Sequence, residues 1–193
     1  MTEEEIVGAA LSVIRTEGVN ALSMRRLSAE LGRSTMATYR YVTDKQALLD
    51  LVARKVLAEV PIPPADSGPW DARLRELISG IDDRMRHHTG IAEILLERML
   101  STDYRVMAGV MDILQSAGFS ERDVLLAYAM IHTYLFGRYQ VVMHAGEIDE
   151  SPSAVPESMR TLQTELPKLR GQDFFTFGVD TIIQGLRGRL GSE

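Results

Sequence analysis

The sequence predicts an all-α protein: a helix-turn-helix unit within residues 1–60, a linker at 61–70, and a longer helical region over 71–193. Three observations lead there. Apolar residues recur at intervals of three and four along every long segment, never in the strict alternation of a half-buried strand, and no internal repeat is present. Residues 18–49, GVNALSMRRLSAELGRSTMATYRYVTDKQALL, hold short helical stretches separated by glycine, serine and aspartate, the residues that stop and start helices. Four of the seven prolines fall within PIPPADSGPW at 61–70, where they break helix and stiffen the connection.

The first helix opens on Thr2 and Glu5, a capping-box pattern. Ser23 follows a loop and caps a second helix beginning at Met24, because its hydroxyl accepts one of the orphan amide protons of the first turn. Leu27 and Leu31 then share one face, and Gly32 ends the helix in the left-handed conformation that a sharp turn requires. Ser34 or Thr35 caps a very short third helix, expected to run through Val42 to the stop at Thr43 and Asp44. Asp44 caps the next, whose Ala47, Leu48, Leu51, Val52 and Val56 form an apolar stripe.

The third helix is too short to persist alone, so Thr38, Tyr41 and Val42 are expected to lean on neighbouring helices, Tyr41 most firmly. Thr35, Met36, Tyr39 and Arg40 then point the other way. Arg25, Arg26, Arg33, Arg40 and Lys45 give residues 18–45 five cations against two carboxylates, a local +3 in a chain of net charge −6. Phosphate attraction follows the local patch rather than the total, so the overall acidity does not exclude nucleic acid.

These residues carry a family resemblance. Residues 4–60 resemble the N-terminal domain of tetracycline-repressor-type transcriptional regulators, with glycine, leucine, tyrosine, lysine and the double leucine at the family's spacing. AGFS at 117–120 and FGVDTIIQGL at 177–186 are similar, more loosely, to its ligand-binding and dimerisation domain. The resemblance implies double-stranded operator DNA as partner, a homodimer, and release by a small-molecule inducer that the sequence does not identify. It places Ser23, Arg25, Ser34, Thr35, Met36, Tyr39, Arg40, Tyr41 and Lys45 at the DNA. An arginine fork at Arg25 suits guanine O6 and N7, while the Tyr39 and Tyr41 hydroxyls and the Lys45 ammonium suit phosphates. This chain departs from the family pattern at Arg33, where a small apolar residue is common, and at Thr38, where leucine or isoleucine is usual.

Beyond the linker, Leu74, Leu77, Ile78, Ile81 and Met85 repeat at helical spacing, as do Val106, Val110, Ile113 and Leu114 before Ala117 and Gly118 stop the helix. Ser120 caps a long helix to about Ala145. An acidic, proline-containing loop at 147–157 precedes helices near 156–168 and 172–190. The long helix is apolar around much of its circumference (Val124, Leu125, Tyr128, Ile131, Leu135, Phe136, Tyr139, Val142), and so is the last one (Phe174, Phe177, Val179, Ile182, Ile183, Leu186). Two such helices from each subunit make a four-helix seam. The plainer alternative is that both are core helices of a monomer.

Met85, His88, Met99, Tyr104, Met107, Met111, Tyr128 and His132 are the expected lining of a ligand cavity. Methionine adapts its shape, and tyrosine or histidine adds a few oriented hydrogen bonds. The same residues at helical spacing also serve as ordinary core.

Catalysis finds little in the chain. His87 and His88 are adjacent, hence about 100° apart on a helix, and His132 and His144 are twelve residues apart, too far to converge. There is no phosphate loop, nucleophile elbow or paired-ligand motif, and neither an enzyme nor a cofactor is expected. With no cysteine the chain has no disulfide, which suits a reducing cytoplasm, and neither a secretory signal nor an apolar run of membrane-spanning length is present. A helical protein-interaction module that ignores DNA and a small-molecule-binding enzyme are the alternatives to a regulator. The basic face argues against both.

Overall fold

The computed structural model describes residues 1–88, 90–96, 104–144, 165 and 168–191. These form α1 (Glu3–Glu17), α2 (Met24–Glu30), α3 (Thr35–Tyr39), α4 (Lys45–Ala58), α5 (Trp70–His87), α6 (Ile91–Leu96), α7 (Tyr104–Ser116), α8 (Glu121–His144) and α9 (Gly171–Leu190). A 3-10 turn at Val19–Ala21 joins α1 to α2, and no strand occurs among the described residues, as the periodicity requires. The acidic 147–157 segment lies outside the described residues, as does the helix expected near 156–168 apart from Glu165 and Lys168. The chain divides into two compact units, Met1–Tyr128 and Ala129–Glu193.

In the first unit the helix starts are those the caps dictate. Thr2 and Glu5 close a reciprocal capping box, with bonds of 3.2 and 2.8 Å. The hydroxyls of Ser23 and Ser34 accept from the amides of Arg26 and Ala37, and the Asp44 carboxylate accepts from the Ala47 amide. Gly32 adopts φ +61°, so α2 reverses into the turn before α3 without Cβ strain. Under this turn, Ile6, Ala10, Val13, Leu22, Leu27, Leu48 and Val52 are buried. Each large one contributes roughly 1.5–3 kcal/mol relative to remaining in water.

One polar cluster locks α2 against α1. The Arg26 guanidinium donates to Glu17 at the end of α1 (Nη2 at 2.6 Å, Nε at 2.9 Å) and to Glu30 at 2.9 Å. The other oxygen of Glu30 accepts from Ser12 of α1 at 3.0 Å.

α3 ends at Tyr39, three residues short of the expected stop. The Tyr41 and Val42 amides both donate to the Thr38 carbonyl, turning the chain so that Val42 enters the core. Tyr41 is thereby left 52% exposed, contrary to its expected core position.

The start of the proline segment is packed: Pro63 is buried, and Gly109 of α7 lies against Ile62, where a Cβ would stand 2.9 Å from Ile62 Cδ1. Arg105 of α7 donates to the carbonyls of Val60, Leu57 and Ala58 at 2.7, 2.8 and 3.1 Å, capping the C-terminus of α4. Arg84 of α5 meets Glu59 at 2.6 Å. At the turn between α5 and α6, Gly90 takes φ +89° and lies against Ile14 of α1, where a Cβ would stand 2.8 Å from Ile14 Cγ2.

In the second unit α8 and α9 pack through Tyr134, whose hydroxyl donates to the Phe174 carbonyl and whose ring covers Gly178. Val179, Ile182, Ile183 and Leu186 of α9 are buried within the single chain. They are therefore core, not the intersubunit seam expected of them.

Two outcomes follow from these contacts. Replacing glycine with alanine stabilises an exposed helix by about 1 kcal/mol, and Gly8→Ala, with open space around its Cβ, is expected to do so. Gly178→Ala is expected to reverse the sign and destabilise by about 1–3 kcal/mol, because its methyl overlaps the Tyr134 phenol. Denaturant melts of the two variants check this.

The second outcome concerns acid. Hydrogen bonds from Arg26, then Ser12, hold the Glu30 carboxyl below its ordinary 4.5. A depressed carboxylate adds stability above its unfolded value, and that stability is lost as pH falls through the folded one. Thermal melts should show wild-type stability falling below about pH 4.5 and Arg26→Ala, already weaker at pH 7, falling less steeply.

Candidate nucleic-acid interface

The helix-turn-helix carries exposed cations that stand outside the ion pairs of the fold. Arg25 on α2, Arg33 in the turn and Arg40 at the end of α3 are exposed, and none forms an ion pair or side-chain hydrogen bond among the described residues. Arg26, counted with them from sequence, belongs elsewhere: two carboxylates hold it against α1 and raise its pKa further above the ordinary value. The basic face is therefore Arg25, Arg33, Arg40 and Lys45.

Around these cations sit large side chains that the fold leaves uncovered. Met36 is 78% exposed and Tyr39 46%, with Tyr41 beside them. Thr35 is half-buried. Ser23 and Ser34 spend an oxygen lone pair on their caps, and each hydroxyl keeps its own proton for an acceptor such as phosphate. Lys45 lies at the start of α4 with its ammonium 3.5 Å from the Val19 carbonyl, near the loop that precedes α2. Exposed thioether and phenol groups among unpaired guanidinium groups match a major groove, which offers thymine methyls, base-edge acceptors and flanking phosphates together.

The expected ligand residues take several environments. In the first unit Met85 is 2% exposed in the core of α5, and Tyr104 is 70% exposed at the start of α7. His88, whose pKa burial lowers, lines a surface groove of about 400 Å³ with Glu4, Val7, Leu11 and Val56. It thus faces α1 and α4 instead of a cavity among the later helices. Met107, Met111 and Tyr128 are half-buried, and burial raises the Tyr128 phenol pKa. Met99 lies outside the described residues. In the second unit His132 is buried edge-on against Phe136, with ring centroids 4.6 Å apart.

Sequence reasoning missed two arrangements. One is the neutralisation of Arg26 by Glu17 and Glu30, whose i, i+4 half was legible from spacing while the Glu17 half crosses the turn. The other is a buried contact between the hydroxyls of Ser28 and Thr38 at 2.8 Å, joining α2 to α3. The unusual threonine was its only signal.

Among the described residues no group of three or more histidine, cysteine, aspartate or glutamate side chains is placed to hold a metal ion. No helix there is long and apolar enough to cross a membrane.

Known proteins resemble the chain along its whole length. Residues 62–190 match the family described as tetracyclin repressor-like, C-terminal domain. An HTH-type transcriptional regulator of Saccharopolyspora erythraea is 28% identical over 207 residues, covering 100% of this chain and 87% of its own length. The HTH-type transcriptional repressor DrrR1 of Streptomyces coeruleorubidus is 30% identical, covering 96% of this chain and 77% of its own. Among solved structures, the TetR family protein ActR of Streptomyces coelicolor, in complex with actinorhodin, aligns with a TM-score of 0.79 at 27% identity over 99% of both chains. With an all-helical fold, an exposed basic helix-turn-helix and a family match over well more than half its residues, this chain belongs to the tetracycline-repressor-like family of transcriptional regulators.

Proposed function

We propose that the protein is a repressor that grips a two-fold operator as a homodimer, and that a small molecule bound by the region after residue 70 releases it. The observation that carries the reading is the set of unpaired cations and uncovered large side chains on one short helix and its flanks. Arg25, Arg33 and Arg40 are exposed and form no ion pair or side-chain hydrogen bond among the described residues. A protein-interaction module has no need of such a face, whereas counterion release makes it valuable on DNA. The rest of the chain carries net negative charge, so the local positive charge of this segment is what draws a duplex.

Ser23, Arg25, Ser34, Thr35, Met36, Tyr39, Arg40, Tyr41 and Lys45 are assigned to the operator. Arg25 has the reach and fork for a base, and the hydroxyls and Lys45 have the chemistry for phosphates.

Dimerisation draws support from apolar side chains that a single chain leaves in water. Met130, Thr133, Gly137 and Val141 follow one another at helical spacing along α8, with Met130 and Val141 exposed, and Phe177 of α9 is 77% exposed. A self-complementary face of this kind is what a two-fold interface buries.

For the ligand, half-buried Met107, Met111 and Tyr128 of the first unit offer an adaptable, mostly apolar surface; by itself, the second unit holds a buried imidazole at His132. The similar Streptomyces coelicolor protein is in complex with actinorhodin, which supports a small-molecule ligand here. Arg105 links that region to DNA recognition: any ligand that moves the start of α7 must carry the α4 carbonyls with it or break three hydrogen bonds.

Selecting bound fragments from the source genome, then titrating the recovered duplex by fluorescence anisotropy, tests the reading. Tight, saturable binding to a two-fold sequence is expected; a protein that ignores every fragment at low salt refutes it. On that operator Arg25→Ala should cost about 1–3 kcal/mol and relax one base position, whereas Tyr39→Phe should weaken all sequences alike.

Light scattering after gel filtration should give twice the chain mass. Phe177→Glu and Met130→Glu are expected to yield folded monomers, since both side chains are exposed in the single chain, while Ile183→Glu should unfold the second unit instead. A monomeric wild type at micromolar concentration overturns the dimer.

A compound that releases operator must, by linkage, bind the DNA complex more weakly by the same factor. Met107→Ala and His132→Ala should blunt release and leave operator affinity without ligand nearly intact. Compounds that stabilise the protein in thermal melts yet never shift operator binding would contradict regulation by ligand.

A further inference from the structure

The helix assigned to the major groove is five residues long, less than one and a half turns, and among them only Thr38 is buried. So short a helix has no stability of its own. Beside the Gly32 turn, the Ser34 cap and the Val42 anchor, its pose depends on what holds Thr38. That side chain is wholly buried, and it is a hydroxyl where an aliphatic group would fill the same space without needing a partner.

The partner is Ser28 of α2, itself 3% exposed. The two hydroxyl oxygens are 2.8 Å apart, and Ser28 Oγ is 2.7 Å from the Met24 carbonyl one turn back. Thr38 Oγ1 is 3.4 Å from its alternative acceptor, the Ser34 carbonyl. One proton per hydroxyl fixes the direction. If Ser28 donated to Thr38, its oxygen would face the Met24 carbonyl at 2.7 Å with no proton between them, and Thr38 would be left with the long contact. Thr38 therefore donates to Ser28, and Ser28 donates to Met24.

An apolar contact tolerates sliding and rotation, whereas a hydrogen bond between two buried hydroxyls is directional and costly to leave unmade. A roll of α3 by about 20° moves a side-chain tip some 6 Å from the axis by about 2 Å, beyond what a bidentate base contact accepts. α2 is in turn fixed to α1 through Arg26. Separate polar contacts thus tie α1 to α2 and α2 to α3.

We propose that Thr38 and Ser28 are positioning residues for DNA recognition. Their hydroxyl chain sets the roll of α3, hence the angle at which Met36, Tyr39 and Arg40 meet the duplex, and so governs preference for operator over other DNA. The inference rests on the reading of α3 as the DNA-facing helix, and the two fail differently. If the wild-type protein binds no duplex, that reading is at fault; if it binds operator selectively, the variants decide.

The test compares wild type with Thr38→Val, Thr38→Ser, Ser28→Ala and the Ser28→Ala/Thr38→Val pair. Affinities for the selected operator and for an unrelated duplex of equal length are measured at one salt concentration, beside a thermal melt. Thr38→Val keeps the shape and removes the proton, so operator affinity should fall about tenfold or more while affinity for unrelated DNA stays within about twofold. Thr38→Ser, which keeps the hydroxyl, should restore most of the preference. Ser28→Ala should act in the same direction, and the pair should lose no more than Thr38→Val alone, because both act on one linkage.

Proportional loss on both duplexes would reduce the contact to an ordinary core bond and overturn the proposal. So would an unchanged operator preference in a folded Thr38→Val. If Thr38→Val fails to fold, Ser28→Ala decides by the same ratio.

Discussion

The large side chains that the helix-turn-helix leaves uncovered, Met36 and Tyr39, stand on a helix that cannot hold itself. α3 offers one buried side chain to the interior and places Met36 and Tyr39 in solvent. Its pose is inherited from the scaffold: a glycine turn entered at φ +61°, a serine cap, the Val42 anchor that follows, and the buried hydroxyl contact with α2. The scaffold is rigid where these attachments end. α2 is held to α1 by a guanidinium shared between two carboxylates, and α1 and α4 bury an aliphatic core beneath it.

The same economy divides the cations by role. A guanidinium between two carboxylates at 2.6 and 2.9 Å is part of the fold, and little of its field remains for phosphate. One with no partner costs nothing to offer. The one-residue difference between Arg25 and Arg26 thus separates an exposed cation without an ion pair from one built into the fold. α4 then carries the scaffold toward the later helices, its last carbonyls capped by Arg105 and its end tied to Arg84 through Glu59. Gly90 brings the α5–α6 turn against α1. Those contacts lie within one compact unit, so the helix-turn-helix is not a bead on a flexible string despite its proline-rich connection.

Much of this was legible in the sequence because it is local. Capping by Thr2, Ser23, Ser34 and Asp44, the turn at Gly32, and the start of α5 at Trp70 are decided by side chains within a few residues of the backbone they serve. What was not legible depends on partners distant in sequence. Tyr41 looked like core because helical spacing continued to Val42, but the chain turns after Tyr39 and changes which residue faces inward. Ile183 and its neighbours looked like an intersubunit seam because a wide apolar circumference cannot say which side the chain itself covers. Met85, His88 and Tyr104 carry side chains suited to a cavity, yet lie respectively in core, in a groove beside α1 and on the surface. Composition states what a site needs, and only packing states where it is.

The central claim is geometric: two copies of the short helix α3 enter successive major grooves on one face of a duplex. Hydroxyl-radical footprinting of the complex on its selected operator, with the stoichiometry measured in parallel, tests that most directly. The account predicts two chains per duplex and two equivalent protections related by a two-fold axis, centred about one helical turn, roughly 10–10.5 base pairs, or a small multiple of it apart. A single asymmetric protection, or one chain per site, would contradict it.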